Sequence, residues 1–383
     1  MIYLDHNATS PLLAEVVDAM APWFGVPANP ASAHSAGQRA YSAVERAREE
    51  VARLVGGNPA GVVFTSGATE ANHLFLRGVP RPGSNRRPVC VSAVEHPCVW
   101  AAVRLLASLG APILEIPVGK DGIARLDQVP EDAALLSLMA ANHETGVIQP
   151  IDAAIAIAEA IGAPLHVDAT QAAGRIPLAL GAVDGVVLSS HKIGGPGGVG
   201  CLILRDGEPF PALLTGGSQE RGRRAGSVNV AGIIGFAEAC RLARVELADR
   251  SALMNALSGR IREGVLRAGG RLVGDRARTL PNTTCAIFPG ISGEAVVQAL
   301  DLRGLCVSSG AACSSGSLEP SPVLRAMGDP EPRGGVRFSV GPRTLDADVD
   351  ALLAALGPVL EGLRTEAELA GSPTGETSGR IAP

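Results

Sequence analysis

The chain has 383 residues, of which 46% are apolar and only 3% aromatic, with 47 glycines, 28 prolines and a formal net charge of −5. This composition excludes a mainly disordered chain, and the length suits one large α/β unit plus a smaller domain around a deep site. The acidic balance without a dense Lys/Arg run argues against nucleic acid or an anionic membrane as partner, and no uncharged run approaches the roughly 18 apolar residues of a membrane span, so the expected location is cytoplasmic.

The first strong signal in chain order is helical. Between Ala36 and Val55, apolar Ala40, Val44, Ala47, Val51 and Leu54 recur at helical spacing among charged residues. The period then changes, and Gly61-Val62-Val63-Phe64-Thr65 reads as a strand feeding Ser66-Gly67-Ala68-Thr69-Glu70, a turn and a helix start. Further strands are expected at 88–94, 113–117, 134–139, 164–167, 185–188 and 200–204, several of them separated by helical segments. That alternation predicts an α/β fold with a mixed, mostly parallel sheet covered on both faces and ligands gathered at its strand ends. A broken helical stretch from near Val230 to Ala268 marks a change of domain. After short strands, a last helix carries the packing stripe Val349, Leu352, Leu353, Leu356, Leu360 and Leu363. The polar residues 365–383 are expected to form a flexible tail.

Of the 33 basic residues only Lys120 and Lys192 are lysine. A lysine kept in an arginine background points to chemistry that an always-protonated guanidinium cannot do. Leu165-His166-Val167-Asp168 places a carboxylate at the end of a buried strand, and the next strand delivers Ser189-Ser190-His191-Lys192 at its own end. Asp168 and Lys192 face one pocket if those strands are neighbours. A structural salt bridge explains the two residues, but pyridoxal phosphate explains them better. That cofactor needs a lysine for its Schiff base and a carboxylate to keep its pyridine nitrogen protonated. Its phosphate needs donors at a helix start, which Ser66-Gly67-Ala68-Thr69 supplies with Ser189 and His191 nearby, although the same segment also reads as an ordinary cap. His96 either lies on the cofactor ring, relays a proton or is a structural histidine.

Seven cysteines stand at 90, 98, 201, 240, 285, 306 and 313 with no C-x-x-C pair, which fits a reducing compartment. Most read as small buried hydrophobes. Cys313 differs, because Val307 to Ser317 holds little that anchors a core, so a mobile loop with a nucleophilic thiol competes with a linker whose thiol is incidental. Arg337, in Val336-Arg337-Phe338-Ser339, has the geometry to clamp a carboxylate, or is simply solvated or paired.

On these motifs, together with Leu4-Asp5-His6-Asn7-Ala8-Thr9, Asn29-Pro30-Ala31-Ser32, Glu95-His96, Arg221-Gly222 and Arg224-Ala225-Gly226-Ser227, the chain resembles the cysteine desulfurases, the NifS/IscS-like class V aminotransferases. The likeness runs from about Tyr3 to Arg364. It implies a pyridoxal-phosphate transferase of fold type I acting as a homodimer. Residues 1–15 and 250–364 would form the small domain with a mobile Cys313 loop, and 16–249 the large cofactor-binding domain. By the same resemblance Lys192 would bind the cofactor and shuttle the Cα proton, Asp168 would pair with the ring nitrogen, and His96 would stack on the ring as a catalytic residue. Gln171 and His143 would face the ring oxygen. Ala68, Thr69, Ser189, Ser190, His191 and a neighbouring subunit's Ser227 would hold the phosphate, and Asn29 and Arg337 the substrate carboxylate. Cys313 would receive sulfur from L-cysteine as a persulfide and pass it to an acceptor such as an iron–sulfur scaffold or the tRNA-thiolation machinery. No resident metal is implied; Cys313 would be at most a transient iron–sulfur ligand.

Two departures stand out. Where the family commonly reads Asn-Asn-Glu this chain has Asn142-His143-Glu144, which suggests a group whose charge varies near neutral pH. The tail also lacks the aromatic-containing segment associated with scaffold docking. Selenocysteine lyase or aminotransferase activity on the same fold, and a non-catalytic partner-binding homologue, are the alternatives.

Overall fold

The computed structural model describes residues 1–79, 87–206, 210–309 and 319–371, with side chains through Glu366. Its centre is a seven-stranded sheet, ordered Val62–Thr65, Gly200–Leu204, Gly185–Ser189, Leu165–Asp168, Leu135–Met139, Val89–Ser92 and Ile113–Ile116. All strands run one way except Gly200–Leu204, which is antiparallel to both neighbours. Strands such as Leu135–Met139 are buried along their whole length, as a sheet covered on both faces requires. Parallel neighbours need crossovers, and helix Pro97–Ser108 carries the chain from Val89–Ser92 to Ile113–Ile116, as Ile151–Ile161 does from Leu135–Met139 to Leu165–Asp168.

The register decides where the chemistry falls. Asp168, the last residue of its strand, lies opposite Met139 on one side and Val187 on the other. Two residues beyond Val187 the strand ends at Ser189, and the single 3₁₀ turn Ser190–Lys192 brings the lysine to the same sheet edge. The packing behind this edge is close: a Cβ on Gly185 would sit 2.2 Å from the Phe75 ring. Phe75 in turn stacks on His166 with centroids 5.4 Å apart.

The amphipathic helix expected from Ala36 spans Ser35–Val55 and stops at Gly56, whose φ of 67° suits the left-handed cap. The broken helical stretch resolves into Val230–Val245 and Leu247–Arg267, divided at Glu246. A second, antiparallel sheet is ordered Ser308–Ser309, Gly335–Ser339, Thr283–Ile287 and Arg271–Leu272. The chain start packs beside it: Ile2–Tyr3 pairs in parallel with Leu305–Cys306 as a separate two-stranded sheet, and Leu4 is buried in one core with Met254, Ile261, Phe338 and Leu356.

One boundary differs from the sequence reading. The last helix spans Asp346–Gly371, so residues 365–371, expected in the tail, are helical. The Glu, Ala and Leu of that stretch favour helix, and within it no breaker comes before Gly371. Residues 372–383 lie outside the described residues.

Candidate active site

A cavity of about 500 Å³ opens at the sheet edge where Asp168, Ser189 and Lys192 emerge. Asp168 is 6% exposed, and it accepts hydrogen bonds from Asn72 Nδ2 at 2.9 Å and from the Thr170 amide at 3.0 Å. Lys192 Nζ donates to the Asn7 and Ala8 carbonyls at 2.5 and 2.8 Å. Both residues line the cavity, so the neighbouring-strand condition is met. Glu95, buried behind this edge, accepts from the Met139 amide at 2.5 Å; burial first, and Asp168 second, push its carboxyl well above the ordinary range. Both effects favour the neutral form of Glu95, which lessens the negative charge beside Asp168.

Ser66, Gly67, Ala68 and Thr69 form another wall. Gly67 caps helix Ala68–Gly78 without a side chain, which leaves the first turn of amides and the positive end of the macrodipole for an anion. Burial of the Glu70 carboxyl is outweighed by hydrogen bonds from Arg224 and the Ser66 amide, which hold its pKa below the usual value; it stays ionised, and the paired Arg224 guanidinium offsets its charge beside that anion. His191 lines the same region, 3.1 Å from Thr9 Oγ1, and burial, Lys192 and Arg175 lower its pKa to about 4. It offers a neutral N–H rather than a charge.

His96 caps helix Pro97–Ser108, and its Nδ1 accepts from the Cys98 amide at 3.2 Å. An accepting Nδ1 puts the proton of the neutral ring on Nε2. Burial lowers its pKa against the pull of Asp168, with Lys192 adding to the lowering. His143 meets it edge-on at 5.2 Å. Burial, then His96, Arg337 and Lys192, drive the His143 pKa well below its ordinary value, so the expected charge variation near neutral pH is corrected: this ring stays neutral.

Arg337 sits in the middle of strand Gly335–Ser339, 2% exposed, yet lines the cavity. It donates to the His143 carbonyl at 2.8 Å and to Asp5 Oδ1 at 2.6 Å, and its Nε has no partner. Gln171 also lines the cavity, tied through Nε2 to the Asn7 carbonyl at 3.0 Å.

Three expected residues are not on this wall. Ser190 is buried, with its Oγ where a Cβ on Gly195 would fall. Asn29 is exposed, and its Oδ1 accepts from the Ala31 amide at 3.0 Å. Ser227, expected from a neighbouring subunit, is exposed here and lines a separate cavity that shares Ser66 and Gly198 with the main one. Cys313 lies outside the described residues. Sequence reasoning overlooked Cys98, whose Sγ is 3.0 Å from His96 Nδ1, and Asn72, which holds Asp168. Both lie on the helical face just after a recognised motif, which was the available signal.

These residues fit pyridoxal phosphate. The size is that of a small-molecule site. A buried carboxylate held by neutral donors, a lysine at the same edge and an open helix N-terminus match the ring nitrogen, the aldehyde and the phosphate. The buried Thr170 Oγ1 and His143 Nδ1, both without a partner, leave polar capacity on the wall for such a group.

The sequence matches the class-V aminotransferase model over residues 2–352, and the chain belongs to that family. Its α/β architecture is that of the fold type I pyridoxal-phosphate transferases, as expected. Relatives narrow this further: a cysteine desulfurase of Cereibacter sphaeroides is 41% identical over 95% of this chain and 96% of its own length. The cysteine desulfurase NifS of Azotobacter vinelandii is 38% identical over 95% and 93% of the two chains. A solved NifS-like protein superposes with a TM-score of 0.88 and 34% identity, covering 94% of this chain and all of the other. The chain therefore falls among the NifS/IscS-like cysteine desulfurases.

Proposed function

We propose that the protein is a pyridoxal-phosphate-dependent cysteine desulfurase that converts L-cysteine and the Cys313 thiol into L-alanine and a Cys313 persulfide. The observation that carries this reading is the convergence of Asp168, Lys192 and an uncapped helix N-terminus on one cavity, in a chain of this family. When bound, the cofactor supplies an electron sink for the substrate carbons. Asp168 holds the proton on its ring nitrogen. His96 presents its ring, and Ala68, Thr69, Ser189 and His191 donate to the phosphate. Arg337, with an unpaired Nε on the wall, receives the substrate carboxylate. Lys192 removes the proton from Cα and returns a proton to the product carbons. The substrate Cβ–S bond breaks while an S–S bond forms on Cys313. Oxidation of the two sulfurs is balanced by reduction of Cβ to a methyl group, so no outside oxidant is needed.

The enzyme acts as a homodimer in this reading, with a neighbouring subunit's Ser227 completing the phosphate site. The persulfide passes to an acceptor protein for iron–sulfur assembly or thiolation, in the cytoplasm. Among the described residues no helix is long and apolar enough to cross a membrane, and no cluster of metal-ligating side chains occurs. The test is to give cofactor-loaded protein L-cysteine and a reductant and to quantify sulfide and alanine, with Cys313→Ala alongside. Equal amounts of both, lost in the variant, support the reading. Alanine formation that survives the substitution points instead to a lyase that needs no carrier thiol, and its absence from the parent protein points to another amino-acid substrate.

A further inference from the structure

A second cavity, of about 480 Å³, shares only Lys192 with the first among its lining residues. It is nearly as large as the first and lies within the range of small-molecule pockets. Both parts of the chain build it: Leu13 and Ala14 at the start of helix Ala14–Met20, Met254 from Leu247–Arg267, and Val340 and Pro342 beyond strand Gly335–Ser339. These walls are largely apolar, but the charges on them are one-sided. Arg175, Lys192, Arg250 and Arg343 face a single acid, Glu15, which Arg343 already engages at 2.6 Å.

Arg175 and Arg250 show what is missing. Arg175 is 4% exposed and donates to the Gln171 carbonyl and Oε1, both at 2.5 Å, and more distantly to the His6 and Lys192 carbonyls. Every one of these acceptors is neutral, and among the described residues no carboxylate forms an ion pair with it. Burial, with Arg337 adding to it, lowers its pKa to about 9, so the group stays cationic at neutral pH without a counter-charge. Arg250 is 6% exposed and pairs through Nε with Glu246 at 2.8 Å, while its buried Nη2 has no partner. Buried donors of this kind are costly unless an acceptor is supplied.

We infer that this cavity binds a small amphiphilic carboxylate, its acid group accepting from Arg250 Nη2 and offsetting the charge of Arg175, and its aliphatic body held by Leu13, Met254, Val340 and Pro342. A hydrophilic anion would leave the apolar walls uncovered, and an uncharged alcohol would leave the arginines unmet. Arg175 also holds Gln171 and the Lys192 carbonyl, both on residues of the cofactor wall, so occupancy bears on the seat of the lysine. The site is independent of the proposed activity, because binding is read without turnover.

Titration calorimetry of the cofactor-loaded protein with octanoate, octanol and inorganic phosphate tests it. The expected result is one octanoate per chain, with octanol and phosphate each about tenfold weaker or worse, and about a tenfold loss of octanoate affinity in Arg250→Met. Ala14→Trp, which narrows the cavity without touching a charge, should abolish octanoate binding while L-cysteine turnover and Tm stay close to the parent values. It also keeps the test decisive if Arg250→Met does not fold. Octanoate binding that is equal in the parent and both folded variants, displacement of octanoate by phosphate, or no binding up to about 10 mM would overturn the inference.

Discussion

The pocket has two unlike walls. On the large-sheet side, Asp168, Ser189, Lys192, Thr69 and His96 each follow directly from the end of a parallel strand, and the strand order brings them together. On the small-sheet side, Arg337 reaches the pocket from mid-strand and is fixed by Asp5, 332 positions away. His143 gives its carbonyl to that same arginine, and Glu144 is held by Ser321 Oγ at 2.6 Å. The first wall is set by local geometry repeated along the sheet. The second is set by contacts between distant segments. Under the proposed function, the difference teaches that the large-sheet wall would make most of the cofactor contacts, while substrate handling would depend on how the ends of the chain pack.

Substitutions on the first wall should hit chemistry hardest. Lys192→Ala should lower the rate of alanine formation by about 10²–10⁴-fold and remove the absorbance of lysine-linked cofactor. Retained turnover would break the assignment of this wall. Asp168→Asn should lower kcat/KM by about 10²–10³-fold while the fold persists, as checked by circular dichroism.

The second wall should instead show in binding and in pH response. Arg337→Gln should raise the KM for L-cysteine by about tenfold to a hundredfold and change kcat less, as expected for a lost charged hydrogen bond. Glu144 tests the packing of this wall. Burial, opposed by Ser321 and Arg337, raises its pKa from 4.5 to about 7. The folded chain then binds this proton more tightly than the unfolded chain does, so stability falls as pH rises from about 4.5 to 7 and is level above that. Glu144→Gln should flatten the fall, worth about 3 kcal/mol at most, in denaturant titrations across that range. The smallest effect is expected from His143→Asn: turnover within about tenfold and an unchanged pH profile near neutrality, because the histidine it replaces is already neutral.

The large-sheet wall was legible for a physical reason. Buried parallel strands read as short apolar runs, and the polar residue that ends such a run has to point at something. The register that makes Asp168 and Lys192 neighbours was a condition in the sequence, and the Asp168–Val187 pairing meets it. The second wall was only partly legible. Arg337 was singled out, but its partner Asp5 could not be paired with it from spacing, and Glu144 carried no signal of its contact with Ser321. His143 was read from its ordinary pKa, which its depth in the pocket overrides. The polar composition of residues 365–371 looks like tail, yet helix propensity carries the last helix on to Gly371.

The most direct test of the account is to add L-cysteine to reduced, cofactor-loaded protein without an acceptor and to locate the transferred sulfur by peptide mass spectrometry. The account predicts one extra sulfur on Cys313, matched to the alanine formed, and none on Cys98, the pocket thiol whose pKa is pushed up to about 12 chiefly by burial. Alanine formed with the sulfur on Cys98, or on no cysteine of the chain, would contradict it.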